Sequence, residues 1–478
     1  MCYNGINMSL KMTLQDRLPG YNSFVKPLHF VRAVSAGIKY GFPGKKLTVI
    51  GVTGTNGKTT TCFMIWKMLN EAGMPAGLMT TVAWGGVKKL KLKDELNHMT
   101  TVDSMTLNKR IERIKNAGAK YLVLEVTSHA MEQFRTLGVP IEIAVWTNLT
   151  HEHLDYHKTF ENYRKAKCKL FKKAKYGVIN ADDRSSREFV KVSKNYITYG
   201  IKNGKLRAKD IELSVSGVKY SCGDINIETR IPGKFNVYNS LAAVAVGKKL
   251  GLDDEEIEKG IFALEDVEGR MNRIEEGQDF TVIVDYAHTP DALEKVFEAV
   301  PNVEGRIISV HGGAGRRDES TRAERGEILG RNSDFVIITE DDSRDESPEK
   351  IAKEFVKGAK AVGKVEGRDL AVNLDREEAI RAAIRLARKG DLVLILGKGH
   401  EKTILRGDEA IPFEDSKVAK KYLRERVQEL EAKKRAAQEI ALARAKATAE
   451  IEKKKKAKAL ALRKKKLKTE DTYGNIVE

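Results

Sequence analysis

Short apolar runs rich in β-branched residues alternate with helical patterns along most of the chain. Lys46–Val52 leads into a glycine-rich loop, and after Lys58 apolar residues recur at helical spacing until Gly73. Further runs typical of buried strands lie at Tyr121–Val126 and Ile143–Leu149. This alternation predicts a mostly parallel sheet that is covered by helices on both faces.

A second series of the same kind begins near Phe280. Between the two series, Tyr196–Thr229 alternates over short segments and predicts a small antiparallel addition, and Asn236–Leu250 predicts a helix. Phe24–Phe42 is apolar but is broken by basic residues, which favours a helix docked on the protein over one on a membrane surface. The strand candidates of the second series are Thr281–Val284, Arg306–Val310, Phe335–Thr339 and Leu392–Leu396.

The patterns together predict an α/β protein. We expect a P-loop, parallel-sheet central ATPase domain, then a Rossmann-like C-terminal α/β domain and a helical C-terminal tail rich in lysine and alanine. The predicted parts are a short N-terminal segment at 1–45, the central domain at 46–272, the C-terminal domain at 273–426 and the tail at 427–478.

Charge and cysteine content bear on the partners and the cellular location of the protein. The 478 residues carry a formal net charge of +18, and the tail contains about 15 basic and 8 acidic residues. Such an excess attracts nucleic acid, anionic lipid or anionic metabolites without choosing among them. Four scattered cysteines and the lack of a long apolar stretch predict a cytoplasmic protein without disulfides or a transmembrane segment.

The glycine-rich loop after the first strand predicts ATP binding. Backbone N–H groups at the start of a helix attract phosphate, Lys58 can reach the outer phosphates, and the Thr59 hydroxyl can coordinate Mg²⁺. The spacing departs from the strict pattern, since Val52 stands where its first glycine belongs. The loop candidates are Gly54, Thr55, Asn56, Gly57, Lys58, Thr59 and Thr60.

Two further features carry possible metal ligands. Glu125 lies near the end of a predicted parallel strand, at the sheet edge where such proteins hold ligands. The segment His151–His157 holds three histidines, but it has no cysteine partners and no His-Glu-x-x-His spacing, which disfavours a zinc hydrolase.

Several motifs in one order resemble the Mur ligases, and among them the UDP-N-acetylmuramoyl-tripeptide synthetases (the MurE type). The likeness runs from about Lys46 to about Leu423. Besides the phosphate loop, the motifs are Thr100-Thr101, Glu125–Ala130, Thr147–Leu149, His153–His157, Asp285–Asp291 and Gly397–Glu401.

The resemblance implies a role for each matching residue, with ATP and Mg²⁺ as cofactors. Lys58, Lys167 and His153 are the catalytic candidates, and Lys167 matches a lysine that is carbamylated in the family. Thr59, Glu125 and His153 match metal ligands, while Asn239, Arg270 and Asp285 match further ATP contacts. Substrate positions correspond to Thr100, Thr101, Thr127, Gln133 and Arg135. The positions that bind the incoming amino acid correspond to Arg317, Asp341, Asp342, Arg344, Gly397 and Glu401.

The implied reaction activates the D-glutamate carboxylate of UDP-N-acetylmuramoyl-L-alanyl-D-glutamate as an acyl phosphate, which an amine then attacks. Where family members that add meso-diaminopimelate carry Asp-Asn-Pro-Arg, this chain has Asp341-Asp342-Ser343-Arg344. Arg344 retains the fork that suits a carboxylate and favours meso-diaminopimelate over lysine. About 45 residues precede the first strand, too few for the family's uridine-binding domain.

Two other classes stay open. Folylpolyglutamate synthases share the Mur ligase core, although Thr100-Thr101 and the arginines at 317 and 344 resemble the tripeptide synthetases more closely. A nucleic-acid-binding ATPase is suggested only by the basic charge, and no recognised nucleic-acid motif supports it, so nucleic acid is not an expected partner. The expected partners are the UDP-linked muramoyl dipeptide and a diamino acid, and the oligomeric state is open.

Overall fold

A computed structural model describes residues 21–87, 89–95, 99–150, 154–300, 303–316 and 319–473. Two compact units make up the chain. The larger comprises Met1–Glu275 and Asp279–Ala419, and the smaller comprises Glu276–Gln278 and Lys420–Glu478. The boundaries near residues 45, 272 and 426 stay a prediction.

A nine-stranded sheet forms the first half of the larger unit, in the order β4-β3-β2-β5-β1-β6-β7-β8-β9. All neighbours from β2 to β9 pair in parallel, whereas β3 and β4 are antiparallel additions. The phosphate loop therefore follows a central strand, β1. The strands are β1 (Thr48–Thr53), β2 (Ala76–Met79), β3 (Ala83–Gly85), β4 (Lys93–Asp94), β5 (Tyr121–Glu125), β6 (Ile143–Trp146), β7 (Tyr176–Asn180), β8 (Tyr196–Gly200) and β9 (Leu206–Arg207).

Helices cover both faces of this sheet. They are α1 (Tyr21–Lys39), α2 (Lys58–Glu71), α3 (Ser104–Asn116), α4 (Ser128–Glu132), α5 (Leu154–His157), α6 (Phe160–Lys173), α7 (Ser186–Val192), α8 (Lys234–Leu250) and α9 (Asp254–Phe262), with a 3₁₀ turn at Pro43–Lys46. Apolar residues of α2, α8 and α9 form one core with the sheet, and those of α3 and α6 form a second core on its other side. The predicted two-faced parallel sheet is thus confirmed.

One part of the predicted antiparallel addition is wrong. Tyr196–Gly200 is β8, which pairs in parallel with β7 because α7 carries the chain back across the sheet between them. Leu206–Arg207 is β9, which also pairs in parallel, with β8. Only the residues from Lys209 onward form a separate antiparallel sheet, ordered β10-β11-β12. These strands are β10 (Lys209–Ser214), β11 (Gly217–Cys222) and β12 (Ile225–Thr229).

The second half of the larger unit is a six-stranded sheet in the order β13-β14-β18-β15-β16-β17, parallel except for β13. Each predicted strand is present here. The strands are β13 (Asn272–Ile274), β14 (Thr281–Asp285), β15 (Ile307–Gly313), β16 (Phe335–Glu340), β17 (Leu370–Val372) and β18 (Leu392–Leu396), followed by the hairpin β19 (Thr403–Arg406) and β20 (Glu409–Pro412). The helices are α10 (Pro290–Glu298), α11 (Arg322–Asn332), α12 (Pro348–Ala361) and α13 (Arg376–Leu386).

A fully buried ion pair ties the ends of two of these strands to the last helix, α14 (Asp415–Tyr473). Arg376 donates from Nε and Nη2 to the two carboxylate oxygens of Asp415, at 2.7 and 2.8 Å. The same guanidinium group also donates to the backbone oxygens of Leu396 and Glu340. These are the last residues of β18 and β16, so the pair fixes the edge at which both strands end.

The helix α14 contains 59 residues, and side chains beyond Val427 are almost all exposed through Lys464. The predicted tail helix is therefore confirmed over the residues described. None of the helices within the described ranges is long and apolar enough to cross a membrane.

Asp415→Asn should destabilise the fold strongly, because the buried Arg376 charge would lose the carboxylate to which it is hydrogen-bonded. Breaking a buried pair by removing one partner costs about 3–5 kcal/mol. The exposed pair Lys360–Glu366 offers a matched control, and Glu366→Gln should cost less than about 1 kcal/mol. Urea-induced unfolding followed by circular dichroism measures both, and equal effects of the two changes would contradict the assignment.

Candidate functional site

The phosphate loop contains two positions at which only glycine fits. A Cβ on Gly54 would lie 1.8 Å from Oγ1 of Thr147, and one on Gly57 would lie 2.3 Å from Oδ1 of Asn239. Gly57 also has φ +80°, a left-handed conformation that side chains disfavour, and it is the residue that precedes α2. The loop is therefore pressed against the two neighbouring segments.

Carbonyl oxygens of the loop are bonded to the protein on its inner side. Lys167 Nζ donates to the Gly54 oxygen at 2.6 Å, and Lys58 Nζ donates to the Thr55 oxygen at 2.7 Å. The Asn56 oxygen accepts from Thr147 Oγ1 at 2.7 Å and from the amide of Asn148 at 3.1 Å. Turning these carbonyl dipoles inward leaves the start of α2 as a favourable place for an anion.

A buried carboxylate stands beside the first turn of α2. Thr59 Oγ1 donates to Glu125 Oε2 at 2.9 Å, and the backbone and hydroxyl of Thr81 donate to the same oxygen at 3.1 and 3.2 Å. Glu125 is the last residue of β5, next to β1 in the sheet. The structure thus brings together two of the three predicted metal ligands, and their oxygen atoms are the donors that Mg²⁺ prefers.

Lys167 is buried on α6 beneath the phosphate loop. In addition to its bond to Gly54, its Nζ lies 4.6 Å from the centre of the Tyr163 ring. The Tyr163 hydroxyl lies 3.2 Å from Oγ1 of Thr55, which also accepts from the backbone of Thr150. The sequence pattern alone reads Lys167 as a solvated helix lysine, whereas the fold places it in the wall of the site.

Four of the five predicted substrate positions form one hydrogen-bonded group. Thr101 Oγ1 donates to the Glu125 backbone oxygen at 2.9 Å and accepts from the Thr127 N–H at 3.1 Å. Arg135 donates to the Thr101 backbone oxygen and to Oε1 of Gln133. This group is therefore contiguous with the proposed metal ligand. Thr100 is half-buried and precedes the group in the chain.

The three predicted ATP contacts outside the loop divide between the two sheets. Asn239 lies on α8, accepts from Thr61 Oγ1 and donates to Asn236, so its amide is held against α2. Arg270 and Asp285 belong to the second sheet region, where the Arg270 guanidinium lies 4.5 Å from the Tyr286 ring. Burial raises the pKa of Asp285, while the nearby Arg270 charge opposes that rise.

Residues predicted to hold the incoming amino acid surround a buried lysine that the prediction omitted. Lys398 Nζ lies 3.1 Å from Asp341, 2.8 Å from Asp342 and 3.0 Å from Glu401. Burial opposes ionisation of Asp341, but the charges of Lys398 and Arg376 prevail and hold the pKa of that carboxyl well below its usual range. Burial raises the pKa of Glu401 in the same cluster.

Gly397 and Arg344 flank this cluster. A Cβ on Gly397 would lie 3.1 Å from the Asp341 carboxylate, and its N–H donates to the backbone oxygen of Asp285. Arg344 adopts φ +53°, its N–H donates to the Leu405 oxygen, and its side chain donates to the Gly315 oxygen at 3.3 Å. The hairpin β19–β20 therefore fixes the conformation of the segment that bears Arg344.

A second ion pair stabilises the segment that follows Arg344. The side chain of Arg322 is fully buried and forms two hydrogen bonds to the carboxylate of Glu346, at 2.7 and 2.8 Å. This guanidinium holds the pKa of Glu346 down at about 2. Because Glu346 also accepts from the Arg316 N–H, the pair joins the loops after β15 and β16.

One hydrogen bond joins the phosphate loop to the second sheet region. The Asn56 amide donates to Asp291 Oδ2 at 2.8 Å, and Lys295 binds the same carboxylate oxygen at 2.6 Å. Asp291 lies in the first turn of α10, directly after β14. The bond therefore joins the phosphate loop to the second sheet region, whose strand ends also carry the cluster around Lys398.

His153 and Arg317 lie outside the described residues, so their predicted roles stay predictions. Residues to which the prediction gave no site role are chiefly those that hold the site in place, namely Thr81, Thr147, Asn148, Asp291 and Lys398. Each follows a buried strand closely in the chain, which is the signal that could have found them.

Two family models and several known proteins match the sequence of this chain. A model described as the Mur ligase middle domain matches residues 52–247, and one described as the Mur ligase glutamate ligase domain matches residues 269–399. A UDP-N-acetylmuramoyl-L-alanyl-D-glutamate–2,6-diaminopimelate ligase of Bacillus velezensis is 41% identical over 398 residues, which cover 80% of this chain and 79% of the relative. One named 2,6-diaminopimelate ligase 1, of Clostridium acetobutylicum, is 39% identical over 399 residues, covering 81% and 80%.

Solved structures give the same picture. A structure titled as a UDP-N-acetylmuramoyl-L-alanyl-D-glutamate–2,6-diaminopimelate ligase is 31% identical, has a TM-score of 0.58 and covers 80% of this chain and 79% of its own. Folylpolyglutamate synthase of Mycobacterium tuberculosis reaches a TM-score of 0.62 at 17% identity, covering 77% and 92%. At that identity the second similarity concerns the fold alone.

Gly57→Ala should disrupt the loop, because the new Cβ meets Asn239 and the backbone is left-handed. Gly73→Ala is the matched control, since Gly73 has φ +71° just after α2 but open space around it. We expect Gly73→Ala to cost about 1 kcal/mol of unfolding free energy from backbone strain, and Gly57→Ala at least about 2 kcal/mol. Chemical unfolding measures both, and a cost no larger at Gly57 would contradict the close approach.

His311, on β15, should make stability depend on pH. Burial, with help from Arg325, lowers the pKa of His311 well below its ordinary value. The unfolded chain binds this proton below about pH 6.5 and the folded chain does not, so stability falls as the pH falls through that value. Between pH 7 and 5.5 the wild type should lose about 1 kcal/mol more than His311→Leu in urea titrations. Parallel losses in the two proteins would contradict this.

Proposed function

The chain belongs to the Mur ligase family, and we propose that it is an ATP-dependent amide ligase of peptidoglycan synthesis that adds a diamino acid to UDP-N-acetylmuramoyl-L-alanyl-D-glutamate. The observation that carries the proposal is the Asn56–Asp291 hydrogen bond. It brings a phosphate loop into contact with the region that bears the second polar cluster. A ligase that joins two substrates at the expense of ATP needs such a junction.

The phosphate loop supplies the first half of the chemistry. A carboxylate is a poor electrophile, so the γ-phosphoryl group of ATP is transferred to the D-glutamate carboxylate, giving an acyl phosphate and ADP. Lys58 and the first turn of α2 offset the charge that the phosphates bring. The amine of the diamino acid then attacks the acyl carbon, forming the amide bond and releasing phosphate.

Thr59 and Glu125 are the residues that would hold Mg²⁺. The fit is supported by the 2.9 Å approach of their oxygen atoms at the start of α2. When bound, the ion offsets charge on the phosphates during transfer. Lys167 keeps its family role in this proposal, as the residue that becomes carbamylated and faces the same site.

The group of Thr101, Thr127, Gln133 and Arg135 orients the muramoyl dipeptide. Its contact with the backbone of Glu125 supports this, because the D-glutamate carboxylate must lie near the γ-phosphate. Asp341, Arg344 and Glu401 select the diamino acid, with meso-diaminopimelate preferred to lysine. The names of the relatives support that preference, and Arg344 supplies the group that pairs with the additional carboxylate.

The alternatives remain distinguishable. A lysine-adding or folylpolyglutamate-type ligase would use the same phosphate loop with another amine or acyl substrate. We propose a cytoplasmic location, in keeping with three cysteines that are free and buried among the described residues.

An assay of ADP release tests the proposal. Turnover should require UDP-N-acetylmuramoyl-L-alanyl-D-glutamate and a diamino acid together, and meso-diaminopimelate should give a higher kcat/KM than lysine. Turnover with a folate and glutamate, and none with any diamino acid, would overturn it.

Lys167→Met should lower kcat by at least about a hundredfold in this assay, because the residue forms part of the site's wall. Lys165→Met is the matched control, since Lys165 lies on the same helix but is exposed and pairs only with Glu161 among the described ion pairs. It should retain near wild-type activity. Similar activity in the two folded variants would exclude a role for Lys167.

A further inference from the structure

Helix α1 carries a stripe of apolar side chains that are more exposed than buried in the part of the chain that the structure describes. Leu28, Val31 and Ile38 are 57%, 61% and 68% exposed. Their spacing of i, i+3 and i+10 places them on one side of the helix. Large exposed apolar side chains elsewhere in the described part of the larger unit are scattered, so this stripe is distinctive.

The opposite side of α1 is already used. Ala33 and Ala36 are fully buried, and the Phe30 ring makes an edge-to-face contact with Phe134 at 5.6 Å. Lys26 pairs with Glu132 on α4 at 3.2 Å. The helix is therefore held on the protein in a fixed orientation, and the exposed stripe is not the face that docks it.

Positive charge accompanies the exposed stripe. Arg32 and Lys39 are exposed and follow Leu28 at i+4 and i+11, which places them along the same side. Across its 19 residues, α1 contains no aspartate or glutamate. A band of apolar side chains with basic residues beside it is the pattern of helices that lie in the surface of an anionic bilayer.

Other occupants fit this face less well. A second copy of the same face would bring Arg32 and Lys39 near their own counterparts, with no acidic residue on the helix to compensate. A nucleic acid would satisfy the two cations but would leave three aliphatic side chains without an apolar contact. An anionic lipid surface offers both a negative charge and an apolar layer.

We propose that the exposed face of α1, formed by Leu28, Val31 and Ile38 with Arg32 and Lys39, binds the surface of anionic lipid bilayers. Binding is peripheral, with the aliphatic side chains entering the headgroup boundary and the two cations at the lipid phosphates. None of these residues belongs to the ligase site, so the inference does not depend on the proposed reaction.

Sedimentation of the full-length protein with phosphatidylcholine vesicles that contain 30% phosphatidylglycerol tests the proposal. The wild type should partition onto these vesicles and much less onto pure phosphatidylcholine. Leu28→Ser/Val31→Ser/Ile38→Ser should lower the partition coefficient at least about tenfold, and Arg32→Gln/Lys39→Gln should lower it at low salt. The basic tail is the same in every variant, so a difference in binding between variants arises from the substituted residues.

Val365→Ser/Val372→Ser is the matched control, because these valines are also exposed but lie in the second sheet region. It should bind vesicles like the wild type, and circular dichroism should show all variants folded. Unchanged binding by the α1 triple variant overturns the proposal. So does a wild-type dimer that the triple variant abolishes, or binding to a single-stranded RNA oligonucleotide that competes with vesicles through the same residues.

Discussion

The inward pull on the carbonyl oxygens of Gly54, Thr55 and Asn56 is the interaction on which the central site depends. A glycine-rich loop has little conformational preference of its own, so its shape must be imposed from outside. Here Lys58 at the start of α2, Lys167 on α6 and the adjacent Thr147 and Asn148 after β6 impose it. The positive end of α2 then faces the edge of the sheet, where Glu125 and the Thr101 group lie.

A comparable arrangement shapes the second cluster. Arg376 holds the ends of β16 and β18, and Lys398 holds three carboxylates that would otherwise repel one another. Buried cations of this kind cost desolvation, and the surrounding acids offset it only because the geometry is close. Both halves of the larger unit thus place polar groups at strand ends and hold them with buried positive charge.

The repeating strand-and-helix pattern predicted the two sheets well, because a buried parallel strand is a continuous apolar run and is easily recognised. Tyr196–Gly200 was misassigned because a strand near glycine-rich turns resembles a hairpin, while its parallel pairing depends on α7. Site residues recognised from motifs clustered as expected around the loop and around Asp341. Lys398 and Asn148 lie in recognised motifs but received no site role, because a motif does not show which distant partners the fold brings to its residues, such as Asp342 for Lys398 and Asn56 for Asn148.

The hydrogen bond between Asn56 and Asp291 has a thermodynamic consequence. It couples the conformation of the loop to the position of α10, because a change in either one alters the bond. If nucleotide binding moves Asn56 and changes the free energy of the approach of α10, then the approach of α10 changes the free energy of nucleotide binding by the same amount. Nucleotide binding at the first sheet edge can therefore alter the position of α10 through this bond.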